Sequence, residues 1–215
     1  MSTPTSSQVA EAVRAGTTTA AAVLEQHLSA IDARESEIHA FNLVLAEQAR
    51  ERAAAIDAAV AAGRDPGPLA GVTVALKDNM CTRGVETTCS SRILAGWRPP
   101  YDATVTARLE AAGAIVVGKT NTPEFGLMPT TEPLAYGPSR NPWNHNHSTG
   151  GSSGGAAAAV AAELVSMAHA SDGGGAIRIP ASACGLVGLK PSRGRISTSP
   201  GYDSWAGCTT DGIVS

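Results

Sequence analysis

The sequence has no C-x-x-C pair: its four cysteines, Cys81, Cys89, Cys184 and Cys208, stand far apart. Neither a dithiol redox site nor a zinc ribbon therefore has its motif. A chain of 215 residues is long enough to bury a core without disulfide staples, so reduced thiols are expected. No apolar run approaches the ~18 residues that a membrane span requires. The opening segment MSTPTSSQVAEAVRAG also lacks the apolar stretch of a secretory signal. These two absences lead to the expectation of a cytoplasmic protein with no membrane partner. Excess positive charge is missing too. The formal net charge is −3 and the basic residues are scattered, which gives no electrostatic case for nucleic acid or an anionic membrane surface.

What is present is ordinary globular composition, 43% hydrophobic and 16% charged, with one domain over 1–215 as the default. Residues 7–33 and 45–62 are rich in Ala, Glu, Gln and Arg with apolar positions at helical spacing. They predict amphipathic helices in an N-terminal part spanning 1–63. After the turn-like GRDPGP, the β-branched run VTVAL at 72–76 predicts a buried strand ending at Lys77-Asp78-Asn79. A helix over 103–112, a strand over 114–117, a helix through AAAAVAAEL and a strand over 165–168 follow. Strand, helix and strand at this spacing predict an α/β fold with a parallel or mixed central sheet flanked by helices, its core spanning 67–200. The closing stretch STSPGYDSWAGCTTDGIVS is polar and turn-rich. It carries no evident helix or strand, and the chain is expected to be truncated at its C-terminal end.

Three motifs invite a function and are discounted. GAIVVGKT at 113–120 fits the phosphate-binding pattern G-x-x-x-x-G-K-[ST], but AIVV is itself a strand candidate and Asn121-Thr122-Pro123 stands where a long helix should start. GGSSGG at 150–155 satisfies G-x-S-x-G around Ser152 or Ser153, yet only His169 follows, too soon for the histidine of an α/β-hydrolase. His145 and His147 lack a third ligand nearby, so a solvated loop is the better reading and no metal is expected.

Other residues keep two readings open. Lys77 at the end of a buried strand is either a surface lysine or, if desolvated, a neutral base. Ser152 and Ser153 before a helix are either N-caps or a hydroxyl relay. The triplet Gly173-Gly174-Gly175 offers either a tight turn or backbone donors for an oxyanion.

The motifs KDN at 77–79, GGSSGGAAAAVAA at 150–162 and SDGGGAIRIPASACGLVGLKPSRGRIS at 171–197 resemble the amidase signature family. The similarity extends through GPLAGVTVALKD, DATVTARLEAAGAIVVGKTNTPEF and YGPSRNPWN, nearly all of 67–197. The resemblance implies a Ser-Ser-Lys triad with Lys77 as base and Ser152, on a cis peptide bond, as bridge. It puts the nucleophilic serine at position 176. Oxyanion donors would be the N–H groups of Gly173, Gly174, Gly175 and Ala176, with Ser153, Asp172 and Arg178 in support. No cofactor is implied.

Position 176 holds alanine, and a methyl group cannot attack a carbonyl, so this form is expected to be inactive. A deliberate serine-to-alanine replacement and a naturally inactive homologue both account for it, and so conservative a change beside an intact motif favours the first. The implied activity is hydrolysis of a small-molecule amide through an acyl-enzyme. The segments TRGVETTCSSRILAGW and PPYDATV also resemble the glutaminase component of tRNA-dependent amidotransferases, whereas Ile179 in IRIPAS resembles the stand-alone hydrolases, which are preferred. A non-catalytic amide-binding homologue is the third reading. The resemblance leaves room for a homodimer, or for partner subunits in the amidotransferase case.

Overall fold

The computed structural model describes residues 3–201 and 205–215. The first predicted helical stretch is two helices, α1 (Ser6–Arg14) and α2 (Ala20–Ile38). Gly16, at φ 70°, ends the first, because only glycine enters the left-handed region at no steric cost. Thr19 then caps the second by accepting from the N–H of Ala22 at 3.0 Å. The third helix, α3 (Ala46–Ala61), brings Asp57 to the start of α2. Its carboxylate accepts from the N–H groups of Ala20 and Ala21 at 2.7 and 3.0 Å, where the helix dipole favours negative charge.

A six-stranded sheet runs in the order β1-β3-β2-β4-β6-β5. Its centre is parallel: β2 (Thr73–Lys77) lies between β3 (Ile115–Thr120) and β4 (Met167–Asp172). Three antiparallel strands complete it, namely β1 (Phe41–Val44) on β3, β6 (Thr210–Val214) on β4 and β5 (Gly188–Leu189) on β6. Between these run α4 (Thr104–Ala111), α5 (Gly154–Ala161) and α6 (Arg178–Cys184). Helix α3 packs on β3, and α5 packs on β2 and β4, giving the expected α/β architecture of a mixed sheet flanked by helices.

The closing stretch is not without structure, contrary to the expectation. Within it β6 inserts between β4 and β5, and its residues 202–204 lie outside those described. The segment TDGIV has weak intrinsic strand preference, so its conformation comes from pairing on both edges. Gly212 is required there, because a Cβ would collide with the Leu189 carbonyl.

Strand β3 extends through Thr120 and so absorbs the GKT of the phosphate-loop pattern. Lys119 is fully buried; its Nζ donates to the Met80 carbonyl and, at 3.0 Å, to Thr87 Oγ1. No open glycine loop exists at these residues to cradle phosphates.

Helix α5 lies directly against backbone. Gly154 through Ala159 are all buried, and the Gly155 N–H donates to the Asn121 carbonyl at 3.2 Å. A Cβ on Gly155 would stand 2.5 Å from Asn121 N and 2.6 Å from the Ala40 oxygen. Neither is a flexible group that can yield. Gly155→Ala is expected to lower unfolding free energy by about 2–3 kcal/mol through overpacking, read as a lower urea midpoint at unchanged m-value.

Candidate active site

Because β2 and β4 are parallel neighbours, their carboxyl ends open at the same edge of the sheet, the usual place for a site in such folds. Lys77 is the last residue of β2, and Ser171 and Asp172 close β4. Lys77 is 1% exposed. Its Nζ donates to Ser152 Oγ at 2.6 Å and to Ser171 Oγ at 3.1 Å. Desolvation disfavours the ammonium and pulls Lys77 down to about 7, against the opposing pull of Asp211 and Asp172. The surface-lysine reading is thereby replaced by a buried amine that sheds its proton near neutrality.

Ser152 reaches the amine from the loop before α5. The Gly151–Ser152 peptide bond is cis, and the Ser152 carbonyl accepts from Thr122 Oγ1 at 2.8 Å. Ser153 occupies the N-cap position of α5 but makes no capping bond. Instead its hydroxyl donates to the Ser171 carbonyl at 3.3 Å, and its N–H donates to the Ala176 carbonyl at 3.3 Å. Ser153 thus ties the Ser152 loop to both β4 and the glycine loop.

The glycine loop is organised by Asp172. Its carboxylate accepts from the N–H groups of Gly175 and Ile177 at 2.7 and 3.2 Å, and both Arg178 Nε and Nη2 donate to it at 3.0 Å. Burial works against the charge, but the Arg178 guanidinium and the two N–H groups outweigh it and hold the carboxyl below its ordinary value. One expected donor is corrected here. The Gly175 N–H is committed to Asp172, so it is not free for an oxyanion. The N–H groups of Gly173, Gly174 and Ala176 make no hydrogen bond to described residues.

Lys77, Ser152, Ser171, Gly173, Gly174 and Ala176 share one cavity of about 240 Å³. Its outer wall is apolar, made by Phe125, Leu127, Met128, Pro129 and Ile179. Sequence reasoning missed Ser171 and Asn79, whose Nδ2 donates to Ser171 Oγ at 3.2 Å. Asn79 stands in the KDN motif, where nothing local assigns it a role. Ser171 becomes legible only once β4 is seen to run to Asp172 rather than stopping at residue 168. His145 and His147 are exposed in a turn, away from the cavity lining. His169 is buried on β4, its Nε2 3.1 Å from Asp211 Oδ1.

Comparison with known proteins agrees with this geometry. The chain is 55% identical over 187 residues to a Glutamyl-tRNA(Gln) amidotransferase component, the A subunit of the enzyme from Synechococcus sp. (strain RCC307), covering 87% of this chain and 39% of that protein. A solved 6-aminohexanoate cyclic dimer hydrolase superposes with a TM-score of 0.89 at 43% identity, covering 98% of this chain and 43% of the other. A bacterial aryl acylamidase of the amidase signature enzymes superposes with a TM-score of 0.93 at 32% identity, covering 98% and 44%. The chain therefore spans about two fifths of the length of these relatives. Buried lysine, cis-linked serine and glycine loop stand together on a sheet that superposes on amidase signature structures, and residues 22–215 match the Amidase family model; the chain belongs to that family.

Proposed function

We propose that this chain carries the catalytic centre of an amide hydrolase whose nucleophile position is occupied by Ala176. The observation that carries the reading is the 2.6 Å contact between the buried Lys77 amine and Ser152 Oγ. When Lys77 is neutral the contact reverses direction, the Ser152 O–H donating to the amine lone pair. Ser152 then accepts the proton of a serine hydroxyl at position 176 as that oxygen attacks the amide carbon. The N–H groups of Gly174 and Ala176, with that of Gly173, are the donors left for the developing oxyanion. The proton held by Lys77 returns through Ser152 to the leaving nitrogen, an amine or ammonia departs, and water cleaves the ester. With alanine at 176 the first bond cannot form. By the behaviour of serine hydrolases, the loss is on the order of a millionfold in turnover.

The cavity wall that this chain supplies favours an uncharged amide. Lys77 is the sole ionisable side chain among the described lining residues, and the outer wall is apolar. Free glutamine presents an ammonium and a carboxylate, each of which needs a partner on leaving water. A 6-aminohexanoate cyclic dimer hydrolase and an aryl acylamidase, which superpose on the chain, are named for amides of the uncharged kind. The second reading, a glutaminase subunit of an amidotransferase with partner subunits, draws support from the 55% identity to an amidotransferase component.

Ala176→Ser in the native protein separates these readings. Hydrolysis of simple aliphatic or aryl amides exceeding that of glutamine is the expected outcome, followed by amine release. The reverse preference would favour the glutaminase reading, and a folded Ala176→Ser protein that turns over neither would overturn the hydrolase. In that active background Lys77→Ala is expected to abolish acyl-enzyme formation; undiminished acylation, measured by trapping with a labelled ester, removes Lys77 from the mechanism.

The base must be neutral to act, so kcat/KM of the Ala176→Ser enzyme is expected to rise with pH through about 7 and level off above it. A flat profile between pH 5 and 9 would contradict the buried-amine base.

A further inference from the structure

Asp211 and His169 are not among the described lining residues of the cavity and have no part in the steps above. In the antiparallel pairing of β4 and β6, Ser171 stands opposite Asp211 and His169 opposite Ile213. Directly opposed residues project from the same sheet face, and so do residues two apart on one strand. Ser171, Asp211 and His169 are therefore on one face. Ser171 is also the residue whose hydroxyl takes a hydrogen bond from Lys77 Nζ at 3.1 Å. Asp211 reaches diagonally to His169, Oδ1 to Nε2 at 3.1 Å, and both residues are buried.

From this placement we infer that Asp211 is the counter-charge positioned behind Lys77, and that His169 is the positioning residue that holds its carboxylate and shares its charge. Other groups face the amine. Asp172 approaches from the end of β4, but its carboxylate is engaged by Arg178 and by the N–H groups of Gly175 and Ile177. Cys89 approaches from the loop after β2, and burial pushes its thiol up to about 11, so it carries no charge near neutrality. Asp211 differs from both: among the described residues its side chain is bonded to His169 alone. The His169 Nδ1 is buried with no hydrogen-bond partner among the described residues, so the Asp211 contact is what orients the ring.

The expected physical effect has a definite sign. A carboxylate favours the ammonium form of a neighbouring lysine, whereas burial disfavours it. Asp211 thus moderates the desolvation of Lys77 and sets the pH at which the base becomes available. Its importance for turnover rests on the amide-hydrolase reading, but its effect on Lys77 does not.

The experiment is accordingly a titration rather than an assay. The Nζ signals of [15N]lysine-labelled protein are followed by NMR, with Lys77 assigned by its loss in Lys77→Arg. Asp211→Asn is expected to lower the Lys77 midpoint by about one pH unit, the usual effect of losing one near opposite charge. His169→Phe, which removes the N–H sharing the carboxylate's charge, is expected to raise it, while His169→Gln, which keeps a donor, leaves it in place. An unchanged midpoint in Asp211→Asn overturns the inference. An unchanged or lowered midpoint in His169→Phe overturns the role of His169, and this variant with its Gln control decides the matter if Asp211→Asn does not fold. An Ala176→Ser enzyme that hydrolyses no amide while Asp211→Asn still shifts Lys77 would sink the hydrolase reading and leave this inference standing.

Discussion

A lysine amine buried with no direct ion pair to the described residues is the constraint on which the site is built. Removing an ammonium from water is costly, and the chain meets that cost by surrounding Lys77 Nζ with two hydroxyl oxygens and by letting its proton leave near neutrality. Each oxygen comes from a different part of the chain. Ser152 stands in the loop before α5, and Ser171 closes β4 beside the strand that ends in Lys77. The same contacts that make the burial tolerable bring Lys77, Ser152 and Ala176 to the lining of one cavity.

Holding the Ser152 loop and the end of β4 within hydrogen-bond reach of one amine requires close backbone approach, which small residues allow. A Cβ on Gly151 would lie 2.7 Å from the Thr130 backbone nitrogen and oxygen. A Cβ on Gly175, which sits at φ 123°, would lie 2.8 Å from Ile179 Cδ1. Ile179 also limits Gly150, at 3.0 Å from Cγ2, so this one branched side chain fills the space between the serine loop and the glycine loop. Asp172 supplies the polar counterpart. It gathers two backbone N–H groups and the Arg178 guanidinium, and so fixes which N–H groups of the loop stay open to the cavity.

Membership of the Amidase family and the position of Ala176 belong together. The alanine lies on the cavity lining with the amine and Ser152, and its carbonyl is held by the Ser153 N–H. Serine differs from alanine by one oxygen, so a serine here would change the cavity lining by a single atom.

The central strands, the helices around them and the family's motif positions were legible in the sequence, because buried parallel strands and Ala-rich amphipathic helices carry their pattern locally. Lys77, Ser152 and Ala176, which line one cavity, could be singled out from motifs alone. The short strands β1, β5 and β6 could not, since segments such as FNLV and TDGIV become strands only when a neighbour supplies their backbone partners. The break between α1 and α2 at Gly16 was similarly hidden inside one continuous helical texture. Which donors remain free was beyond the sequence as well. Three consecutive glycines look equivalent in one dimension, and only the reach of Asp172 distinguishes Gly175 from the others. The sequence by itself determined what kinds of groups are available and the order in which they arrive. Tertiary structure decided which of them are dry, which are paired and which face the cavity, because desolvation and hydrogen-bond competition depend on residues far apart in the chain, as Lys77, Ser152 and Asp211 are.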